Sequence, residues 1–374
     1  MNLFYILPIA FVPALLWFIF GFFVQKRINY IEFAVSLTAS FFLAWGLVGA
    51  GSYSLTADTE ILNGVVTAKA RNKVSCGHSY ECNCSTTCSG SGKSRSCSKS
   101  CSTCYEHPWD IDWDVVSTVG AFNISRVDRR GLTQPPRWEA VKIGEPASVP
   151  HSYVNYIKAV PESVLNVGVG LSEEAKAQVP PYPEVYDYYR VNRVISSVGS
   201  IPVLGLNTIV SERLRTLGAK HQVDVAVVIT DKSNAYGRVV QNAWLGGKKN
   251  AAVIVLGMNK ESPKKIDWVY VFSWSKNKIF DVKLRDDIQE IGVYDELRIA
   301  NAISDNIEKL FKRRSMKDYE YLKDQIEPPT WSVVLALLLG FLTNLVASAF
   351  INPQLYNTIA RASRVLPIKR GYRY

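Results

Sequence analysis

Three stretches of this chain run without a charged side chain for about the length an α-helix needs to cross a bilayer. No other feature restricts the fold as strongly. They are Leu3 to Val24 (LFYILPIAFVPALLWFIFGFFV), Phe33 to Gly51 (FAVSLTASFFLAWGLVGAG) and Trp331 to Ile351 (WSVVLALLLGFLTNLVASAFI). Each reaches the roughly 20 apolar residues that span ~30 Å of hydrocarbon at 1.5 Å per residue. The first is expected to be a retained span rather than a cleaved signal. No basic residue precedes it, it is long for a signal core, and a second span follows at once. Only Thr343 and Asn344 put strong polarity inside the third.

The short basic segments set the expected direction. Lys26 and Arg27 lie between the first two spans, and Arg361, Arg364, Lys369, Arg370 and Arg373 crowd the tail. Both belong on the cytosolic side, which places residues 53–328 outward. The formal net charge of +10, in a chain with 20% charged and 48% hydrophobic residues, then reads as membrane topology and contact with anionic lipid. A nucleic-acid partner is not expected, because no clustered basic and aromatic footprint is evident.

The expected class is an α+β membrane protein. Residues 1–52 carry two transmembrane helices, 53–108 a strand plus a Cys-rich segment, and 109–183 a β-rich region. Residues 184–328 form an α/β domain, and 329–374 a third helix with a basic cytosolic tail. In the strand-like ILNGVVTAKA, Asn63-Gly64 predicts a turn. The stretch Ser75 to His107 has almost no aliphatic residue, so it needs covalent or metal staples to be ordered. In WDIDWDVV the acids Asp110, Asp112 and Asp114 alternate with apolar residues and share one strand face. That face is read as solvated, since calcium-loop spacing is missing.

All seven cysteines fall in one window: Cys76, Cys82, Cys84, Cys88, Cys97, Cys101 and Cys104. Two chemistries fit. An oxidising compartment would give up to three disulfides and one spare thiol. Zinc would instead use Cys76, His78, Cys82, Cys84, Cys101, Cys104 and His107, which hold donors enough for one tetrahedral site or two. A nucleophilic cysteine is a weaker third reading, because a base is at hand but no shaped pocket is evident.

After the Pro-rich link Val179 to Pro183 the hydrophobic period changes. Asn207 to Lys220 reads as a helix, Val223 to Ile229 as a buried strand, and Asn234 to Trp244 as an amphipathic helix. Strands over Ala251 to Leu256 and Trp268 to Trp274 follow, then helices over Leu284 to Ile291 and Glu296 to Arg313. Such alternation predicts an α/β sandwich around a short, largely buried sheet.

This order, with VDVAVVITD, the helix bearing Ala235, Val239 and Trp244, the Gly247 to Asn250 turn, AAVIVLGMN and WVYVFSW, resembles the TPM domain family over residues 190–325. Family members are typically membrane-tethered and outward-facing; some are described as weak acid phosphatases, others as assembly or modulatory factors. The resemblance implies acid chemistry at Asp231, at a strand end, with Asp281, Asp286 and Asp287 as further acids. A Gly-rich phosphate loop is missing, and the family's glycine-rich motif is replaced by Ser273-Trp274-Ser275-Lys276. That departure weighs against an inherited activity. The Cys-rich and β-rich zones also resemble uncharacterised membrane proteins of large bacteriophages and their hosts.

His151 and His221 have no triad pattern around them and read as packing or surface residues. Tyr182, Tyr186, Tyr188 and Tyr189 read as packing on their own domain. The expected function is a membrane-anchored, outward-facing accessory protein of a cell envelope, working through contacts with other envelope proteins. The alternatives are a weak metal-assisted phosphatase using Asp231 and a zinc-stabilised interaction module.

Overall fold

The computed structural model describes residues 3–25, 30–89, 96–160 and 172–351. Lys26, Arg27 and the basic residues of the tail lie outside them. The chain divides into two compact units. One comprises Met1–Asp58, Ser152–Val169 and Ser315–Tyr374; the other comprises Thr59–His151 and Gly170–Arg314.

The first unit holds three helices long and apolar enough to cross a membrane: α1 (Leu3–Gln25), α2 (Tyr30–Thr56) and the Thr330–Ile351 helix. Along α2 the buried residues include Glu32, Ser36, Ser40, Ala44, Val48 and Gly51, a face of mostly small side chains repeating every three to four positions. The third helix buries Ser332, Ala336, Asn344 and Ser348, and a Cβ on Gly340 would come 3.1 Å from Pro13. Helices in lipid gain little from hydrophobicity against one another, so small faces that permit close approach do the packing. Bulky residues such as Phe23, Phe42, Leu338 and Phe350 point away from the bundle. Glu32 is turned inward, where it accepts from Trp17 Nε1 at 3.3 Å and from the Ser348 hydroxyl.

The second unit, from Thr59, opens within β1 (Ala57–Val74), followed by the hairpin β2 (Ser79–Ser89) and β3 (Ser96–Tyr105), β4 (Asp110–Ser117) and β5 (Gly120–Ile124). After the one-turn α3 (Pro136–Glu139) comes β6 (Pro146–Val154), giving a sheet of order β5-β4-β1-β6. Its apolar side is Val66, Val115, Ile124, Val141, Ala147 and Tyr189. The predicted turn at Asn63-Gly64 is absent, and β1 runs straight through it. Those residues serve close packing instead. Asn63 is buried, and a Cβ on Gly64 would strike the Thr118 hydroxyl at 2.1 Å.

A short helix α4 (Glu173–Ala177) and the small ladder β7 (Val185–Tyr186) with β8 (Arg190–Val191) lead to the second sheet. Its elements are β9 (Val194–Ser196), α5 (Leu204–His221), β10 (Asp224–Thr230), α6 (Ala235–Ala243), β11 (Ala251–Met258), β12 (Ile266–Ser273), α7 (Ile279–Ile291) and α8 (Glu296–Leu310). Strand order is β12-β11-β10-β9, with β9, β10 and β11 parallel and β12 antiparallel. Alternate residues of β10 and β11 feed two cores. Val225, Val227, Ile229, Ile254 and Leu256 meet α5, α7 and α8, while Ala226, Val228, Val253 and Val255 meet α6. Burial on both faces is why these strands read as continuous aliphatic runs. Helix α7 starts five residues before the predicted Leu284, because Phe280, Leu284 and Ile288 form one buried stripe.

Candidate functional site

The cysteine window folds as an antiparallel hairpin cross-linked by Cys82–Cys104, Cys84–Cys101 and Cys88–Cys97. Four of the seven predicted zinc donors are therefore taken. Cys82, Cys84, Cys101 and Cys104 are half-cystines and offer no thiolate to a metal. His78 gives the group only backbone contacts, its N–H reaching Cys76 Sγ at 3.4 Å. Cys76 stays free and buried.

Cys76 and His107 face each other because of the register below them. Strands β1 and β4 pair through Val74 and Asp110, so the inserted hairpin must leave and return at that pair. The Glu106 N–H closes the neck on the His78 carbonyl at 3.1 Å. There Cys76 Sγ lies 3.4 Å from His107 Nδ1, and the same nitrogen lies 3.4 Å from Asp110 Oδ1. The three donor atoms all fall within 4.8 Å of one another.

Asp110 was expected on a solvated strand face, and the structure instead buries it completely. There Arg126 bridges the acids with its guanidinium: Nη1 to Asp110 Oδ2 at 2.9 Å, Nη2 and Nε to Asp112 Oδ1 at 2.7 and 3.0 Å. Asp114 is held by Asn72 and Asn123. The Gly77 N–H also reaches Asp110 Oδ2, at 3.2 Å. Burial opposes ionisation of Asp110, but Gly77, Arg126 and Cys76 together hold its carboxyl below the usual aspartate range. Its Oδ1 is approached by His107 Nδ1 at 3.4 Å, and no contact of full hydrogen-bond geometry reaches it among the described residues.

The acids implied by the TPM resemblance do not converge. Asp231 is exposed just after β10. Asp281 accepts from the Ser273 hydroxyl and from Lys278 Nζ at 3.2 Å. Ser273 stands opposite Ala252, whereas Thr230 stands opposite Gly257. Asp231 and Asp281 thus occupy opposite ends of strands about 20 Å long at ~3.3 Å per residue. Asp287 is engaged by Lys283 and by Asn306 Nδ2 at 2.8 Å on α7 and α8, and Asp286 pairs with Arg285 at 2.7 Å.

Two buried polar clusters were not legible beforehand. Arg193, 2% exposed, contacts the Asp224 carboxylate and Asn63, and donates to Ser148 Oγ at 2.7 Å. Asn63 in turn donates to the Val223 carbonyl and to Asp224 Oδ1, both at 2.9 Å. Glu60 is fully buried and receives His151 at 3.0 Å, Lys249 at 3.1 Å and Arg313 on Oε1. Both clusters tie β1 to the chain around the start of β10 and β11, as Asn250 does through the Ile61 carbonyl at 2.7 Å. His151 and His221 both pair with carboxylates, the latter with Glu308 at 3.0 Å. Tyr189 is buried, and Tyr182 packs edge-on to Trp244.

Neither the protein-family models, nor the curated proteins, nor the solved structures compared with this chain gave a match.

Proposed function

We propose that this chain is a membrane-anchored accessory protein of a cell envelope whose folded unit lies on the extracytoplasmic side and works by contacting other proteins. The disulfide hairpin carries the reading. Such bonds persist in oxidising compartments and are rare in the cytosol, so three of them in one hairpin support an outward position. They also stiffen a segment with no apolar core of its own, since nearly every residue of β2 is exposed. The two strands pair only with each other, which leaves each an open backbone edge among the described residues. Stiff, polar, open-edged strands suit strand addition by a partner. The TPM-like reading of residues 190–325 fits the same role, since members of that family include assembly and modulatory factors.

The phosphatase reading has less support, because Asp231 stands away from the other acids that would assist it. The test combines sidedness with cross-linking. Impermeant protease added to intact cells should cut the folded unit, and a photo-reactive residue at Thr86 should give a discrete adduct that disappears after reduction of the disulfides. Full protection of the unit from outside would overturn the orientation. Robust phosphomonoester hydrolysis lost in Asp231→Ala would overturn the non-enzymatic reading.

A further inference from the structure

We propose that Cys76, His107 and Asp110 form a zinc site at the neck of the disulfide hairpin. The spacing supports it first. Tetrahedral zinc with bonds of about 2.0–2.3 Å separates its ligand atoms by about 3.3–3.8 Å. Both measured edges, Sγ to Nδ1 and Nδ1 to Oδ1, are 3.4 Å.

The second observation is the carboxylate. Asp110 is fully buried, its Oδ2 is held by Arg126 and Gly77, and its Oδ1, 3.4 Å from His107 Nδ1, receives no contact of hydrogen-bond geometry among the described residues. A buried carboxylate oxygen without a well-formed hydrogen bond is costly. A cation between Oδ1, the imidazole and the sulfur removes that cost. Arg126 and the Gly77 N–H then act as the outer shell, fixing which oxygen faces the metal. His107 Nδ1 lies 3.4 Å from both Cys76 Sγ and Asp110 Oδ1, but one ring nitrogen cannot accept the thiol proton and donate to the carboxylate at once. A plain Cys76–His107 hydrogen bond therefore leaves Oδ1 without a donor.

The donor set selects the metal. A thiolate, an imidazole and a carboxylate together disfavour magnesium and calcium, which take oxygen ligands, and suit zinc. Binding releases the thiol proton of Cys76 to solvent and leaves the fourth position to water. Cys76 is available for this because the other six cysteines are paired with each other. The second trio of potential ligands, Glu81, Cys84 and Cys101, is closed to it by the Cys84–Cys101 bond. The site does not depend on the proposed function and would bind zinc whether or not the hairpin meets a partner.

The test uses the full chain in detergent, stripped with a chelator and titrated with zinc and, as a spectroscopic probe, with cobalt(II). One ion per chain and a near-ultraviolet thiolate-to-cobalt charge-transfer band are expected. The Cys76→Ser variant should lose the band. His107→Ala should weaken binding by more than about 100-fold, since outer-shell substitutions alone cost about 10–100-fold. His107 is partly exposed, so that variant keeps the test usable where Asp110→Asn fails to fold. Paired Cys88→Ser and Cys97→Ser substitution should leave the band intact. A reactive Cys76 thiol with no cobalt band, or a stoichiometry unchanged in Cys76→Ser, would overturn the proposal.

Discussion

Arg126 Nη1 lies 2.9 Å from Asp110 Oδ2, and that contact gives a fully buried acid its counter-charge. By occupying one carboxylate oxygen, Arg126 leaves the other facing Cys76 and His107. Replacement of Arg126 by methionine should therefore expose the Cys76 thiol as the neck loosens. Faster alkylation of Cys76 in native protein would show it, and an unchanged rate would contradict it.

Arg193 and Asp224 form an ion pair with both members almost wholly buried. Breaking such a pair from one side strands a charge in low dielectric and costs about 3–5 kcal/mol. Arg193→Met should destabilise the folded unit by that amount in thermal or denaturant unfolding. Addition of Asp224→Asn should cost less than the two single losses summed, because the stranded charge is then removed.

Asp128 caps the turn after β5, accepting from the N–H groups of Thr133, Arg130 and Leu132 at 2.6, 2.9 and 3.1 Å. The Thr133 N–H, aided by the others, lowers its carboxyl to about 2. An unfolded aspartate titrates near 3.9. The depressed folded value means that ionised Asp128 contributes stability above about pH 4, and that this contribution is lost as pH falls toward 2. Asp128→Asn should flatten that part of the stability profile and leave its slope near neutrality unchanged.

Reduction should act on the hairpin alone. Each of its disulfides closes a loop, with sequence separations of 22, 17 and 9 residues, and contributes about 2–4 kcal/mol by constraining the unfolded chain. Without them the Ser-rich strands have no apolar core to order them. Limited proteolysis under reducing conditions should cut within residues 79–105 while the β10–β11 region stays protected; equal cutting in both would contradict this.

Leu214 and Asp231 should separate core from surface. Leu214 is buried against β10, so Leu214→Ala should cost about 2–5 kcal/mol. Asp231 is exposed, and Asp231→Ala should change unfolding by no more than about 0.5 kcal/mol.

The sequence by itself determined what depends on neighbours along the chain. Uncharged length marked all three apolar helices, and unbroken aliphatic runs marked β10 and β11, because hydrophobic period and span length are local properties. The seven clustered cysteines allowed three disulfides and one spare thiol but left zinc equally open. What only the tertiary structure decided were meetings between distant residues. Asn63-Gly64 carries a strong turn signal, yet it packs inside a strand because Asn63 lies against Gly218 and bonds the Val223 carbonyl. Arg193 gave no warning of burial, since its partners Asn63, Ser148 and Asp224 come from three other segments. Asp110 looked like one solvated acid of three until the pairing of Val74 with Asp110 placed Cys76 and His107 beside it. Burial and pairing of polar groups are set by which surfaces the topology brings together, and that is not written in any one stretch of residues.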